Sequence, residues 1–189
     1  EKIVSRVIKS GIIENAQGVH LKNRKIRLNF ITNKDQRAIE VSKKMGIKNF
    51  ALSFTNSHED IIKFNKLLGK ERKIFKIETK SAINNLDKII KYGKYFLIDR
   101  GDLSKETSIE VLPILQRKIL KKAKKKRKKV YVATNFLESM VMNKYPTRGE
   151  ANDIYNTLEM GAAGLVLAGE TAIGKYPKEC VQFISKMIK

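Results

Sequence analysis

The sequence contains few of the cysteine and histidine residues on which many hydrolases, zinc proteins and secreted proteins depend. Its 189 residues contain no tryptophan, one cysteine, Cys180, and two histidines, His20 and His58. A lone cysteine cannot form an internal disulfide, and this set is too small for a structural zinc site or a cysteine–histidine nucleophile. No segment approaches the roughly 18 consecutive apolar residues of a membrane span, and the first residues lack the apolar centre of a signal peptide. These absences predict a cytoplasmic protein with no membrane association.

Acidic residues are also scarce, since 40 Lys and Arg against 19 Asp and Glu leave a formal charge of +21. Lysine accounts for 31 of the 40 basic residues, and lysine is suited to phosphate rather than to base recognition, for which arginine is favoured. The densest basic run, Arg117 to Lys129, continues an apolar-periodic segment, so we expect it at the C-terminal end of a helix. A solvated helix face is therefore the favoured interpretation, and nucleic-acid binding is the alternative.

From about residue 35 onward, short β-rich apolar runs alternate with amphipathic helical stretches. This alternation predicts βα units and a parallel sheet. One helix precedes the first strand, and a helix follows each strand. The predicted strands are Phe50–Phe54, Ile74–Ile77, Tyr95–Ile98, Val130–Ala133 and Gly164–Ala168.

Local signals mark several helix ends. Thr147 and Glu150 have the spacing of a capping box, and Gly161 is placed to end the helix that they begin. Gly93 follows a short apolar-periodic segment in the same way, and Pro177 lies where the first turn of the last helix tolerates proline.

Five βα units are too few for the closed (β/α)8 barrel that this alternation suggests, which takes about 250 residues and eight strands. We expect an α/β fold, a partial (β/α)8 TIM-type barrel of five βα units over residues 35–189, from a longer protein. Residues 1–34 read as parts of another small β unit, in which IVSRVIKSG and GVHLKNRKIRL are short antiparallel pieces joined by turns. An open doubly wound sheet, complete as it stands, is the alternative.

In such folds the active site forms at the carboxyl ends of the strands, so the residues that follow each apolar run are the candidates. Lys76 and Glu78 are two apart in an extended segment and point to the same side. Asp102 follows the next strand, and two carboxylates without histidine or cysteine suit Mg²⁺ or Mn²⁺, with a substrate phosphate completing the coordination. A lysine beside such a site would neutralise charge during phosphoryl transfer.

Each candidate also has a structural interpretation. Lys76 and Glu78 could be a surface ion pair, which is the better interpretation from spacing alone. The turn after the third strand could be a simple loop with a helix cap at Asp102 or Ser104. Thr134, which follows the fourth strand, could cap the next helix.

The ordered motifs resemble those of pyruvate kinase. The resemblance rests on ALSF (51–54), KIE (76–78), NLDKII (85–90), RGDL (100–103), VATNFLESM (132–140), PTRGE (146–150) and AGETAIGKYPKE (168–179). QGVHL (17–21) and ITNKD (31–35) resemble that family's exit from its lid domain and its re-entry into the barrel. Residues 1–34 would then be the end of the inserted lid domain with the re-entry segment, and the five strands would be the family's fourth to eighth.

The resemblance implies a role for each matching residue. Lys76 would stabilise the phosphoryl group between phosphoenolpyruvate and ADP, and Glu78 and Asp102 would hold the divalent metal. The backbone amides of Gly101 and Asp102 would receive the substrate carboxylate, and Thr134 would contact it and help protonate the enolate. It also implies a potassium ion whose ligands lie outside this chain, and a homotetramer with Arg148 at a subunit contact.

Several positions depart from the family pattern. Ala168 stands where the family usually has serine, which removes a hydroxyl from the expected proton-delivery network. Asn56 stands where arginine is common, and Ser104 replaces the usual glycine. The alternative function is therefore a degenerate or partial-barrel paralogue that binds an anionic metabolite or partner without catalysis.

Overall fold

The computed structural model describes residues 4–13, 15, 19 and 29–188 of the chain. Within them, helices and strands alternate along the sequence. The strands are β1 (Asn49–Leu52), β2 (Arg72–Ile77), β3 (Tyr95–Asp99), β4 (Lys129–Ala133) and β5 (Gly164–Val166). The helices are α1 (Asn33–Lys44), α2 (His58–Leu68), α3 (Lys80–Asn84), α4 (Leu86–Tyr92), α5 (Arg100–Glu106), α6 (Leu112–Lys125), α7 (Arg148–Glu159), α8 (Gly169–Ala172) and α9 (Pro177–Ile188), with a 3₁₀ turn over Glu138–Val141.

The five strands form one parallel sheet in the order β1-β2-β3-β4-β5. Because parallel crossovers are right-handed, an unbroken sequential order places every connecting helix on the same face. A doubly wound sheet reverses its strand order at one point and carries helices on both faces. The doubly wound alternative is therefore wrong, and the sheet has the one-sided arrangement of a barrel wall.

The two faces of the sheet have different environments. The helix-covered face carries Phe75, Ile77, Phe96 and Ile98, each at most 2% exposed. The opposite face, which is the interior side of a barrel, carries half-buried residues such as Lys76 at the next position along β2. Lys76 and the residues in register with it are therefore displayed on the inner side of the wall.

The predicted helix signals are largely confirmed. Thr147 and Glu150 form a reciprocal capping box at the start of α7, and Gly161 follows the C-cap of that helix with φ of 91°. Pro177 is the first residue of α9. Gly93 also ends α4, but its backbone is extended, because what this position requires is the absence of a side chain: a Cβ there would lie 2.3 Å from Cζ of Phe96.

Two predicted strands were too long at their carboxyl ends. β1 ends at Leu52, because the chain turns and Phe54 adopts a left-handed backbone with φ of 51°. β5 ends at Val166 and not at Ala168, which is the N-cap of α8.

The structure describes only some of the residues on which the predictions for residues 1–34 depend. Residues 4–13 form neither helix nor strand, so the first predicted β piece is not found over them. The second piece lies largely outside the described residues, as does QGVHL, and the assignment of residues 1–34 to a lid domain stays a prediction. Among the residues that the structure describes, no helix is both long and apolar enough to cross a lipid bilayer.

Candidate active site

Five candidate residues meet at the carboxyl ends of three neighbouring strands. Lys76 lies near the end of β2 and Glu78 one residue beyond it, while Asp102 lies in the first turn of α5, directly after β3. Thr134 follows β4, and its hydroxyl accepts a hydrogen bond from the backbone N–H of Gly101 at 2.9 Å. The structure thus brings the residues singled out from the sequence into one site.

Lys76 is the centre of a charge cluster. Its Nζ lies 2.9 Å from Oε2 of Glu78 and 2.9 Å from Oδ2 of Asp99. The side chain of Lys76 is 20% exposed and that of Glu78 is fully buried. The Lys76–Glu78 pair is therefore not the exposed surface ion pair that spacing alone favoured.

The buried charges shift each other's protonation. Burial raises the pKa of Glu78 above its ordinary value, and hydrogen bonds from Lys76 and from the N–H of Phe54 only partly oppose it. Burial alone would lower the pKa of Lys76, but its bonds to Glu78 and Asp99 outweigh burial, so the pKa of Lys76 is raised. The site therefore holds Lys76 as an ammonium ion.

Glu78 also ties the end of β1 to the end of β2. Its Oε1 accepts a hydrogen bond from the backbone N–H of Phe54 at 2.6 Å. The left-handed backbone of Phe54 aims that N–H across the strand ends. One carboxylate oxygen is thus used for structure, and the other, Oε2, makes an ion pair with Lys76 and has no other polar partner among the residues that the structure describes.

The carboxylates have the chemistry of a divalent cation site. Oxygen atoms of Glu78, Asp99 and Asp102 all lie within 4.8 Å of one another. Carboxylate oxygens are the ligands that Mg²⁺ and Mn²⁺ prefer, and within the described part of the chain the buried Oε2 of Glu78 has no donor other than Lys76. The residues present therefore fit a small divalent cation with open positions for phosphate oxygens.

The start of α5 differs from the expected cap. The N-cap is Asp99, whose Oδ1 accepts the N–H of Asp102 at 3.4 Å, so neither Asp102 nor Ser104 is the cap. The amides of Gly101 and Asp102 therefore already have partners within the protein, namely Thr134 and Asp99. An incoming carboxylate would have to share or replace these bonds.

Thr134 is held in an uncommon backbone conformation. Its φ is 73°, and Asn135 follows with φ of 56°. The guanidinium of Arg100 donates from Nε to the carbonyl of Thr134 at 3.1 Å, and its Nη2 donates to the same oxygen. Arg100 also pairs with Asp153 of α7 at 2.6 Å and stacks on Phe136. Left-handed backbone is costly for a β-branched residue, so these contacts offset strain at a site residue.

The departures from the family pattern have local partners. Asn56 accepts a hydrogen bond from Thr79 at 2.6 Å, and the hydroxyl of Ser104 donates to the carbonyl of Gly101 at 2.8 Å. The N–H of Ala168 donates to Oε2 of Glu170 at 3.0 Å. Glu170 is 2% exposed, and its other carboxylate oxygen has no hydrogen-bond partner among the described residues.

Sequence reasoning passed over Asp99 and Arg100 as site residues. The one signal for Asp99 in the sequence was its position as the first polar residue after the third apolar run, whereas its alignment with Glu78 needed the strand register, in which Ile77 pairs with Ile98. For Arg100, the sequence held no comparable signal, since its partners Thr134 and Asp153 lie 34 and 53 residues away.

Comparison with known proteins gives a consistent family assignment. The pyruvate kinase barrel domain matches residues 1–181. Proteins named pyruvate kinase from Thermotoga maritima and Clostridium perfringens are 40% and 35% identical over 98% and 99% of the chain. The chain spans 41% and 40% of the length of these relatives. With its one-sided parallel sheet as part of that family's barrel, the chain belongs to the pyruvate kinase family.

Proposed function

We propose that the protein expressed from the complete gene transfers a phosphoryl group from phosphoenolpyruvate to ADP, giving pyruvate and ATP. The observation that supports this most strongly is the Lys76 ammonium, held between two carboxylates beside Asp102 at the carboxyl ends of the strands, in a chain of the pyruvate kinase family. The proposal includes a cytoplasmic location and a homotetramer with Arg148 at a subunit contact. It also includes a potassium ion with its ligands outside this chain.

In the proposed transfer, the bond between phosphorus and the enolate oxygen breaks while a bond forms from an ADP oxygen to phosphorus. Lys76 stabilises the transferring group, because a fixed cation neutralises charge that develops on its oxygens. Glu78 and Asp102 hold the divalent cation, which supplies further charge neutralisation and orients the phosphoryl group.

The second step is protonation of the enolate at its methylene carbon to give pyruvate. The backbone amides of Gly101 and Asp102 bind the substrate carboxylate. Thr134 also contacts this carboxylate and helps deliver the proton to the enolate. Arg100 acts through the backbone of Thr134 and keeps its hydroxyl next to Gly101.

Binding without turnover is the second candidate function, and Ala168 favours it. A methyl group at this position provides no hydroxyl for the proton-delivery network that the family resemblance implies. In this case phosphoenolpyruvate would bind with Mg²⁺, but no pyruvate would form.

A coupled assay for pyruvate with phosphoenolpyruvate, ADP and Mg²⁺ tests the proposal. We expect activity that requires all three components, with Thr134→Ser keeping most of it because the hydroxyl remains. Thr134→Val should lower kcat by about 10²-fold or more, as loss of one general acid–base contribution does. Mg²⁺-dependent binding of phosphoenolpyruvate by folded wild type without pyruvate formation would replace the catalytic proposal with the binding function.

A further inference from the structure

Asp99 is an acidic residue of the site to which the proposed function gives no role. It is the last residue of β3, and its side chain is 14% exposed. Each of its carboxylate oxygens has its own partner: Oδ2 lies 2.9 Å from Nζ of Lys76, and Oδ1 accepts the N–H of Asp102. Asp99 therefore joins the lysine to the start of α5.

The two carboxylates beside Lys76 are not equivalent. Glu78, Asp99 and Asp102 each offer one oxygen to the group that fits a divalent cation. Both oxygens of Asp99 have partners, whereas the buried Oε2 of Glu78 pairs with Lys76 alone among the described residues, so a bound cation and the ammonium would compete for this atom. Because the two positive charges repel each other, cation binding would weaken the contact between Lys76 and Glu78. Asp99 would then be the carboxylate that still holds Lys76.

The charges of the site support these different roles of Glu78 and Asp99. Before a substrate phosphate binds, three carboxylates together balance one divalent cation and one ammonium, whereas Glu78 and Asp102 alone would leave one positive charge uncompensated in a partly buried site. Unpaired charge is costly away from water. A third carboxylate that pairs with Lys76 removes this cost and leaves the other two free for the cation.

We propose that Asp99 is a positioning residue for Lys76, which keeps the ammonium directed at the transferring phosphoryl group when Glu78 and Asp102 hold the divalent cation. This inference rests on the proposed function. It goes beyond that function because it gives Asp99 the role of holding the lysine. The cap that Asp99 provides for α5 links the position of the lysine to that of Gly101 and Asp102.

Asp99→Asn is the sharpest test, because asparagine keeps the N-cap and removes the charge. In the protein from the complete gene, we expect kcat to fall by at least about tenfold, toward the 10²-fold loss that follows misplacement of a reacting group by about 1 Å. The KM for phosphoenolpyruvate should change by less than kcat. Asp87→Asn is the matched control, since it removes the carboxylate of a surface ion pair with Lys122.

A second readout does not depend on turnover. With Mg²⁺ alone present, acetylation of Lys76 by an amine-reactive ester, followed by peptide mass spectrometry, should be several-fold faster in Asp99→Asn than in wild type. Unchanged labelling with kcat within twofold of wild type would overturn the proposal. A loss of kcat that high Mn²⁺ restores fully would also overturn it, because Asp99 would then be a metal ligand.

Failure of the proposed function remains distinguishable from failure of this inference. If wild type forms no pyruvate, the proposed reaction is wrong. The labelling rates with Mg²⁺ still decide whether Asp99 holds Lys76 when the cation is bound, since equal rates in wild type and Asp99→Asn would reject that role.

Discussion

The two ends of the sheet hold positive charge in different ways. At the carboxyl ends, one lysine contacts two carboxylates at 2.9 Å each. At the amino ends, a cleft of about 850 Å³ has a lining with five cations and a single carboxylate, that of Glu71. The cations are Lys48, Lys70, Arg72, Lys73 and Lys94.

The amino-end cations have no carboxylate partners among the residues that the structure describes. Lys73 donates to the carbonyl of Gly69, while Arg72 and Lys94 lie over the ring of Tyr95. Lys73 is half-buried and the other four cations are exposed, and an exposed cation without a carboxylate partner keeps most of its hydration and conformational freedom. The Lys76 ammonium is the opposite case, because both its position and its charge are fixed by neighbours.

This contrast favours the restrained cation, and not the more numerous unpaired cations, as the centre of the proposed chemistry. Catalysis by electrostatic stabilisation requires charges whose orientation is set before the reaction. The larger and more basic cleft lacks this property, whereas the small cluster around Lys76 has it. The overall charge of +21 is therefore a poor guide to the location of the proposed active site.

The largest expected contrast is in cation affinity. Glu78→Gln removes a carboxylate at the carboxyl end of β2, and we expect it to weaken Mn²⁺ binding by more than about 100-fold, the upper range for changes next to a metal ligand. Glu71→Gln at the amino end of the same strand should leave the affinity within about twofold. Titration of the whole protein with Mn²⁺, followed by electron paramagnetic resonance, measures both. Equal effects would remove the distinction between the two ends.

The next contrast concerns packing. Gly93→Ala at the amino end would place a Cβ 2.3 Å from Cζ of Phe96 and 3.1 Å from Cδ2 of Phe75. We expect destabilisation of about 1–3 kcal/mol, as is typical of overpacking. Gly149→Ala in α7, where an added Cβ would lie 3.9 Å from Oγ1 of Thr147, should be neutral or stabilising by up to about 1 kcal/mol. Urea unfolding midpoints compare the two, and equal midpoints would contradict the packing argument.

The smallest expected effect is on the pH dependence of stability, and it comes from Glu150, a carboxylate with a structural role. Burial alone would raise the pKa of Glu150, but hydrogen bonds from Ser139 and Thr147 outweigh it and lower the pKa below the ordinary value of 4.5. Because the folded-state pKa is the lower one, the ionised carboxylate stabilises the fold above about pH 4.5. This stabilisation is lost as the pH falls through the folded-state pKa.

Glu150→Gln should therefore lower the thermal unfolding midpoint most at neutral pH. The difference from wild type should shrink below pH 4.5, the ordinary pKa of this carboxyl group. Midpoints measured from pH 7 to pH 3 test this. A constant difference over the whole range would show that ionisation of Glu150 does not contribute.

Much of the fold could be predicted because it depends on local patterns. Alternating apolar runs place the strands, and the pair Thr147 and Glu150 marks the start of α7 without information from elsewhere in the chain. The end of β1 could not be predicted in this way. It depends on the left-handed turn at Phe54, whose N–H binds Glu78 24 residues later.

The site residues also differ in whether local sequence patterns could predict them. Lys76 and Glu78 could be paired from their spacing alone, since alternate residues of a strand share a face. Asp99 required the register of β3 against β2, and Arg100 required the packing of α5 against α7. Contacts between elements are set by tertiary structure, which spacing along the chain does not encode.

The most direct test of the account compares two lysines of β2 in the pyruvate assay with the complete protein. Lys76→Met removes the cation held by two carboxylates at the carboxyl end, and Lys73→Met removes a cation at the amino end that has no carboxylate partner among the described residues and donates to the carbonyl of Gly69. We predict that kcat falls by about 10²–10³-fold in the first, as for loss of one preorganised charge-stabilising group, and by less than about twofold in the second. Equal activities of the two folded variants would contradict the claim that the chemistry depends on the cation held by Glu78 and Asp99.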